Sequence, residues 1–176
     1  GAAEVISGQG KTAEQIEGGV RAMAARDAKS ILITRLDSEK EASLRGKFPY
    51  TYSVPARLAE AFPAERELTG SIAVVSAGTS DLAACEEAAL TAEALGSRVT
   101  RVYDAGVAGL HRLLANLEVL ERARCIVAVA GMEGALPSVV GGLVSCPVIA
   151  VPTSVGYGAN LGGLAALLTM LNSCAS

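Results

Sequence analysis

The chain has no tryptophan and few aromatic residues of any kind, which make up only 3% of its 176 residues. Its hydrophobic content is nevertheless 51%, so the core has to be built from Ala, Val, Leu and Ile. Small side chains let helices pack closely on a sheet, and an Ala-rich surface suggests faces that are buried in an oligomer. The formal net charge is −3 without a basic stripe, which together with the scarcity of aromatic rings argues against nucleic-acid binding.

The sequence also has little that could bind a structural metal or enter a membrane. It contains one histidine and four cysteines, Cys85, Cys125, Cys146 and Cys174, none of them in a C-x-x-C pair, so a structural zinc site is not expected. Free thiols in an α/β chain favour a reducing, cytoplasmic setting, and we interpret Cys85 and Cys125 as small buried hydrophobes. No window of about 18 uninterrupted apolar residues is present, so we expect no transmembrane helix, and the polar first residues predict no signal peptide.

Continuous apolar runs of strand length alternate with helical patterns from Ser71 onward. The runs are 72–75, 99–103, 125–130 and 147–151, and a last helix is predicted from about Asn160 to Asn172. Strands that are apolar on both sides and alternate with helices indicate a parallel sheet covered on both faces. The sequence therefore predicts a three-layer, doubly wound α/β domain of the flavodoxin-like type.

A smaller and more polar α/β segment precedes this pattern. We predict a helix over about 13–26 that begins at a Thr12-x-x-Gln15 capping box, a strand over 31–34, and a short helix capped by Asp37 or Ser38. A second strand over 50–53 and a helical turn near 56–61 complete the segment. The charged stretch 63–70 contains structure breakers, so we place the boundary between a small N-terminal domain, 1–67, and a catalytic domain, 68–176.

Polar residues follow each predicted strand of the second domain. The turn Ser76-Ala77-Gly78-Thr79-Ser80-Asp81 offers backbone N–H groups and hydroxyls that suit a phosphate, although ordinary capped helix starts look the same. It is not a P-loop, because no G-K-S/T follows. Asp104, Glu133 and the 152–160 loop follow the other strands, so all four turns should converge on one edge of the sheet.

Two acids at this edge are candidates for chemistry. Glu133 is the only acid between Glu121 and the C-terminus, and it lies among small and apolar residues. A carboxylate in that position is either hydrogen-bonded scaffolding at a helix start or a catalytic base. Asp104 could orient a ribose, bind a cation or assist anhydride cleavage, or it could form a local Asx cap.

The motifs of the second domain resemble those of the aminoimidazole ribonucleotide carboxylase superfamily. The turn 76–81, the Ala130-Gly131-x-x-x-x-Leu136-Pro137 motif and the strand 147–152 carry this resemblance. A closer similarity is to one branch, the pyridinium-3,5-biscarboxylic acid mononucleotide synthases, which are carboxylases of nickel-pincer cofactor biosynthesis that serve lactate racemase. The motifs that point to this branch are 103–109, 131–137, 155–158 and 172–176. Purine carboxylases and mutases carry a histidine just before Leu-Pro, where this chain has Ala135, so the purine proton relay is missing.

This resemblance implies a reaction and a set of residues. Such enzymes carboxylate the pyridinium ring of nicotinic acid adenine dinucleotide with CO2 or bicarbonate and hydrolyse its phosphoanhydride to release AMP; NAD would be an analogue. The motif match makes Cys174 the nucleophile that adds to the ring and Glu133 the base, with Asp104 as a third catalytic candidate. The substrate-binding candidates are Ser76, Gly78, Thr79, Ser80, Asp81, Gly131, Met132, Pro152, Thr153 and Asn160.

The resemblance also bears on cofactors and partners. It implies no organic cofactor, and Mg2+ is the metal that phosphoanhydride cleavage often uses, although no ligand cluster can be identified in the sequence. It implies a homo-oligomer, with an octamer as in related carboxylases, and no membrane partner. Family members continue past the final Cys-Ala-Ser, so the end of this chain is expected to be cut or disordered. The alternatives left open are a purine-type mutase and a non-catalytic dinucleotide-binding module.

Overall fold

Two separate four-stranded sheets organise the chain in the computed structural model, which describes residues 4–175. The first sheet is built from β1 (Val5–Ser7), β2 (Ile31–Thr34), β3 (Tyr50–Ser53) and β4 (Leu58–Ala61) in the order β1-β2-β4-β3. β1 and β2 are parallel, while β4 is antiparallel to both β2 and β3. We call residues 4–61 the first unit.

Two capped helices connect the strands of the first unit. α1 (Ala13–Ala24) begins at the predicted capping box, in which Thr12 and Gln15 bond each other's backbone N–H groups. α2 (Ser38–Leu44) begins at Asp37, whose side chain accepts a hydrogen bond from the backbone N–H of Lys40. The core between these helices and the sheet is formed by fully or nearly buried side chains, namely Ile16, Val20, Ile31, Ile33, Leu36 and Leu44.

The predicted helical turn near 56–61 is wrong, because residues 58–61 form β4 and residues 56 and 57 belong to the turn before it. The segment Arg57-Leu58-Ala59-Glu60-Ala61 consists of good helix formers, but strand pairing on both sides overrides that preference. β1 was not predicted, since three residues are too short for a periodic signal.

The second sheet contains four parallel strands and defines a flavodoxin-like α/β domain. Its strands are β5 (Thr69–Ser76), β6 (Ser97–Val102), β7 (Cys125–Ala130) and β8 (Val148–Pro152), in the order β6-β5-β7-β8. The chain moves outward from β5 to β6 and then returns to the other side of β5 to form β7. This reversal creates a topological switch point between the carboxyl ends of β5 and β7, where ligands of doubly wound folds bind.

Helices cover both faces of the second sheet. α3 (Leu82–Ala94) packs on one face, where Cys85 and Ala89 contact Val74 and Val129 in a buried cluster. The other face is covered by α4 (Leu110–Leu114), α5 (Leu117–Glu121) and α6 (Leu136–Leu143), which contribute Leu113, Leu120, Leu136 and Val140 to the larger core. α7 (Leu164–Leu171) adds Met170 to that core and packs beside β8.

The last helix begins later than predicted. Residues Gly158–Gly163 form a 3-10 segment with left-handed backbone at Leu161, Gly162 and Gly163, and the α-helix starts only at Leu164. The segment between β8 and α7 is therefore a long loop, and its conformation matters for the site described below.

The first unit packs against α3. Leu32 and Leu58 share a buried cluster with Ala94, against which Leu90 also packs. The guanidinium of Arg66, in the connection between the two sheets, donates to Ser30 Oγ at 2.6 Å and also to the Glu60 carboxylate and the Ala94 carbonyl. No helix within residues 4–175 is long and apolar enough to cross a membrane.

Candidate active site at the carboxyl edge of the parallel sheet

A crevice of about 430 Å³ lies at the carboxyl edge of the second sheet, at the switch point between β5 and β7. Residues from all four loops that follow the strands line it, as the sequence predicted for this edge. The lining comprises 77–78, 80–81, 106–108, 130–133, 135–136 and 155–157. Of the predicted site residues, it includes Gly78, Ser80, Asp81, Gly131, Met132 and Glu133.

Asp81 connects the first of these loops to the fourth. Its side chain is only 5% exposed, and its Oδ1 accepts a hydrogen bond from Thr153 Oγ1 at 2.7 Å. The other oxygen, Oδ2, accepts from the backbone N–H of Gly78 at 3.3 Å. Asp81 and Thr153 therefore fix the position of the crevice walls, whereas Thr79 and Ser80 on the same loop are exposed.

Ser76 and Asp104 join the end of β5 to the loop that follows β6. The Ser76 hydroxyl is fully buried and accepts a hydrogen bond from the backbone N–H of Asp104 at 3.0 Å. Asp104 has a left-handed backbone with φ of 55°, and its carboxylate lies 3.7 Å from the Arg112 guanidinium. Arg112 also donates to the Asp104 carbonyl at 2.7 Å. Neither Ser76 nor Asp104 lines the crevice, so in this structure both support its walls.

Gly131 allows the third and fourth loops to meet. A Cβ atom at this position would lie 2.1 Å from the Val155 carbonyl oxygen and 2.8 Å from Thr153 Oγ1. The same carbonyl accepts the backbone N–H of Met132 at 3.1 Å, and Thr153 N–H donates to the Ala130 carbonyl at 3.0 Å. Pro152 ends β8 in register with Ala130. Only glycine permits this close approach of the two backbones.

Glu133 is exposed in the turn before α6 and lines the crevice. Within residues 4–175 no hydrogen bond or ion pair reaches its carboxylate, so the scaffolding alternative has no contact to support it. The neighbouring Ala135, which occupies the place of the purine-type histidine, also lines the crevice.

Cys174 lies outside the crevice. The thiol is exposed on the segment that follows α7. This segment lies along α6, because Ser173 Oγ is 2.8 Å from Ser138 Oγ and a Cβ on Gly141 would meet the Ala175 Cβ at 3.0 Å. No hydrogen bond joins the Cys174 thiol to the Glu133 carboxylate in the described part of the chain. Ser176 lies outside the described residues.

Asn160 organises the fourth loop from within. It is 5% exposed, and its Nδ2 donates to the Val155 carbonyl at 2.8 Å while its Oδ1 accepts from Gly163 N–H at 2.7 Å. Gly156 is required beside it, since a Cβ there would lie 1.9 Å from Asn160 Nδ2. Both polar groups of its amide bond the loop and Asn160 does not line the crevice, so in this structure it supports the loop. Its contact with a substrate stays a prediction.

Sequence reasoning assigned no role to Val155, Tyr157 or the 106–108 loop, although all line the crevice. Tyr157 is 82% exposed at its rim. The pattern Val155-Gly156-Tyr157-Gly158 could have indicated Val155 and Tyr157 as site residues. In it glycines flank an aromatic residue, and the hydrophobic residues follow neither helical nor strand periodicity.

The crevice is acidic. Its lining contains Asp81 and Glu133 but no lysine, arginine or histidine. Across residues 4–175 no group of three His, Cys, Asp or Glu side chains could hold a metal ion. A magnesium ion would therefore depend on the phosphates of a substrate for most of its ligands.

The other cysteines are not placed for catalysis at this edge. Burial raises the pKa of the Cys85 thiol to about 12, which keeps it protonated, as expected for a small buried hydrophobe. Cys125 is only partly buried, in contrast to the prediction, and its pKa is raised by burial and by nearby Cys146. Cys146 precedes β8 and so lies at the opposite end of the sheet from the crevice.

Comparisons with known proteins agree with the fold and with the motifs at this edge. Residues 71–176 match the family described as AIR carboxylase, and residues 1–61 match the LarB/PurE-like N-terminal domain. The chain therefore belongs to the AIR carboxylase family, whose enzymes are carboxylases or mutases, and the pair of matches confirms its resemblance to the branch that makes pyridinium-3,5-biscarboxylic acid mononucleotide.

The chain is also similar to a protein of Methanocaldococcus jannaschii. The uncharacterized protein MJ0165 of Methanocaldococcus jannaschii is 49% identical over 107 residues. The alignment covers 60% of this chain and 41% of the relative, so the chain spans less than half of that protein's length.

Proposed function

We propose that this enzyme carboxylates C5 of the pyridinium ring of nicotinic acid adenine dinucleotide and hydrolyses the phosphoanhydride, releasing AMP. The product would be pyridinium-3,5-biscarboxylic acid mononucleotide, a precursor of the nickel-pincer cofactor of lactate racemization. The observation that carries the proposal is the acidic crevice of an AIR carboxylase fold with an unpaired Glu133 carboxylate and with Ala135 in place of the purine-type histidine.

The charge of the crevice supports a cationic ring over an aminoimidazole. A pyridinium ring carries a positive charge, and two carboxylates without a compensating cation favour it electrostatically. The apolar part of the lining, which includes Val107, Met132, Leu136 and Val155, can contact the faces of a flat ring. Purine-type mutase chemistry, by contrast, would lack its proton relay at Ala135.

The proposed chemistry begins with covalent addition. A pyridinium carbon is electron-poor and does not attack CO2, but addition of the Cys174 thiolate at C4 forms a C–S bond and turns the ring into an enamine. C5 then attacks CO2 and a C–C bond forms. Loss of the C5 proton to Glu133 and departure of the thiolate from C4 restore the aromatic ring. Asp104 remains our candidate for assisting cleavage of the anhydride.

This sequence of steps requires the thiol to reach the ring. Cys174 lies beside α6, the helix that begins at the crevice with Leu136. The segment 172–175 would have to move toward the crevice of its own subunit or of a neighbouring one when the substrate binds. The positive charge of the bound ring would favour formation of the thiolate and so link activation to substrate arrival.

A neighbouring subunit is part of the proposal. α7 exposes Leu164, Leu167, Leu168 and Leu171 at helical spacing, and Leu161 is 73% exposed just before it. An apolar stripe of this kind on a helix is typical of a protein interface, and we propose a homo-oligomer, expected to be an octamer. Light scattering that gives a monomer would contradict this part.

The deciding experiment is incubation with nicotinic acid adenine dinucleotide and isotope-labelled bicarbonate, followed by mass spectrometry. We expect a labelled dicarboxylated mononucleotide and an equal amount of AMP. Carboxylation of an aminoimidazole nucleotide instead would support the purine-type alternative, and binding without any product would support a non-catalytic module.

Two variants test the assigned roles. Cys174→Ser should bind the dinucleotide but form neither product nor covalent adduct, and Glu133→Gln should abolish turnover without unfolding the protein. Cys146→Ser and Glu121→Gln are matched controls, because they make the same substitutions away from the crevice. If Cys174→Ser makes the product at a comparable rate, the covalent mechanism is wrong and Glu133 works on the ring alone.

A further inference from the structure

Basic side chains gather around the loop 8–11 between β1 and α1 of the first unit. Lys11 Nζ donates to the Ser7 carbonyl at 3.0 Å. The Arg35 guanidinium reaches across from the end of β2 and donates to Gln9 Oε1 at 2.6 Å. Both cations are exposed, and both bond neutral oxygen atoms, so neither charge is compensated by these contacts.

Two more cations border the same loop. Lys40 Nζ donates to the Gly8 carbonyl at 3.2 Å and forms an ion pair with Asp37 at 3.0 Å. Arg57 also contributes its charge near Asp37. The pKa of the Asp37 carboxyl is lowered mainly by the hydrogen bonds that Lys40 donates to it, and further by the positive charges of Lys40 and Arg57. We call Lys11, Arg35, Lys40 and Arg57 the basic cluster.

Carboxylates do not neutralise the basic cluster. Asp37 pairs with Lys40, and the other acids close along the chain are Glu14 in the first turn of α1 and Glu39 and Glu41 in α2, of which Glu41 pairs with Arg45. The Glu14 carboxyl has a lowered pKa because it bonds its own backbone N–H and the Thr12 side chain. The cluster therefore has more positive than negative charges and free donor capacity on Lys11 and Arg35.

The backbone holds Arg35 in an unfavourable conformation. Its φ of 53° is left-handed, which costs free energy for a residue other than glycine, asparagine or aspartate. Backbone hydrogen bonds of the two neighbouring residues hold Arg35 in this conformation. The Thr34 carbonyl accepts from Gly8 N–H, and Leu36 N–H donates to the Arg57 carbonyl, both at 2.7 Å. Strained backbone of this kind is concentrated at functional sites of proteins.

β2 of the first unit lies beside α3 and runs in the opposite direction, from the end of that helix toward its start. Ser30, just before β2, is tied through Arg66 to Ala94 in the last turn of α3. The strand then runs about 17 Å from Ser30 to Arg35 at about 3.3 Å per residue. α3 covers about 18 Å from Ala94 back to Leu82, where the crevice begins. Leu58, beside the carboxyl end of β2, shares its cluster with Leu90, one turn earlier in α3 than Ala94.

We propose that the basic cluster is a binding site for a diphosphate group, and that it holds the phosphoanhydride of the dinucleotide whose ring enters the crevice. A diphosphate carries negative charge that the crevice, which has no positive side chain, cannot compensate. Arginine and lysine are the side chains that bind phosphate oxygens best. The identity of the dinucleotide rests on the proposed function, whereas the binding of a diphosphate does not.

Calorimetric titration with inorganic pyrophosphate at low ionic strength tests the site directly. We expect the wild-type protein to bind pyrophosphate with an affinity that falls as salt increases. The double variant K11Q/R35Q should bind at least about tenfold more weakly, since it removes two charge-assisted contacts. Arg35→Lys, which keeps the charge, should recover part of the affinity.

Arg26→Gln is the matched control, because it removes one positive charge just beyond the opposite end of α1. It should leave pyrophosphate affinity unchanged, and circular dichroism should show the same fold for all variants. Equal binding by wild type and K11Q/R35Q, or no binding by wild type, would overturn the site. In turnover of the dinucleotide, K11Q/R35Q should raise KM and should also slow the release of AMP, because the cluster would hold the anhydride that is cleaved.

The two proposals fail in different ways. If pyrophosphate binding depends on Lys11 and Arg35 but no carboxylated product forms, the diphosphate site stands and the proposed reaction is wrong. If the product forms with the same KM in wild type and K11Q/R35Q, the reaction stands and the diphosphate site is wrong.

Discussion

Thr153→Val should destabilise the protein through one buried carboxylate. The substitution keeps the shape of the side chain and removes the hydroxyl that donates to Asp81 Oδ1 at 2.7 Å. Asp81 is 5% exposed, so water cannot readily replace the lost donor, and only the longer bond from Gly78 N–H at 3.3 Å remains. A hydrogen bond to a charged group contributes about 1.5–3 kcal/mol, and we expect a loss of about 2 kcal/mol in the free energy of unfolding.

Urea unfolding and thermal unfolding measure this loss. For a protein of this size a loss of about 2 kcal/mol lowers the melting temperature by about 4–8 °C. Thr100→Val is the matched control, since Thr100 is exposed on β6, and it should change stability by less than about 0.5 kcal/mol. A double-mutant cycle of Thr153→Val with Asp81→Ala isolates the contact from other effects of each substitution.

The cycle also provides the refutation. If the coupling energy between Thr153 and Asp81 is below about 0.5 kcal/mol, or if Thr153→Val behaves like Thr100→Val, then this hydrogen bond does not hold the first and fourth loops together. The fourth loop would then be held beside the crevice by the backbone contacts that Ala130 and Met132 make with it.

Three further predictions address the site, the first unit and the thiols. Gly131→Ala should lower the free energy of unfolding by about 1–3 kcal/mol and reduce activity, because its Cβ would lie 2.1 Å from the Val155 carbonyl oxygen. Gly142→Ala is the control: a Cβ there would have no atom within 4 Å, so the change should be neutral or slightly stabilising. Unfolding and turnover assays compare the two variants. Hydrogen bonds from Arg45 and then from Tyr50 lower the pKa of the Glu41 carboxyl. The stability that this carboxylate contributes is therefore present above the ordinary glutamate pKa and is lost as the pH falls through the lowered value. Glu41→Gln should destabilise the protein at about pH 7 and have little effect in strong acid, as measured by urea unfolding at each pH. Alkylation of the native protein near neutral pH should modify the exposed Cys174 and spare Cys85, because burial raises the pKa of Cys85 to about 12. Mass spectrometry of the peptides measures which thiol is modified, and faster labelling of Cys85 than of Cys174 would contradict this prediction.

The second sheet could be predicted because its strands carry the signal within themselves. Runs such as Cys125–Ala130 are apolar on both sides, and parallel strands buried on both faces require that composition. The convergence of four loops at one edge then follows from the geometry of parallel strands, without any knowledge of individual contacts.

Other features depend on contacts that the local sequence does not show. β4 consists of helix-forming residues and becomes a strand because β2 and β3 pair with it on both sides. α7 starts four residues later than predicted because the Asn160 amide bonds the loop at Val155 and Gly163 instead of helping to start the helix. The positions of Cys174 and Glu133 relative to each other depend on how the segment after α7 lies along α6, which no spacing rule specifies.

The hydrogen bond between Asp81 and Thr153 has a consequence for how the enzyme matures. Its partners are 72 residues apart, so a long loop must close before it can form, and closure has an entropic cost. During synthesis β8 leaves the ribosome after the other three parallel strands, and the loop that carries Thr153 follows it. A nascent chain that lacks this loop has no finished crevice, because the fourth wall is made last. The crevice would thus become able to bind a ligand only once nearly all of the described chain has been made.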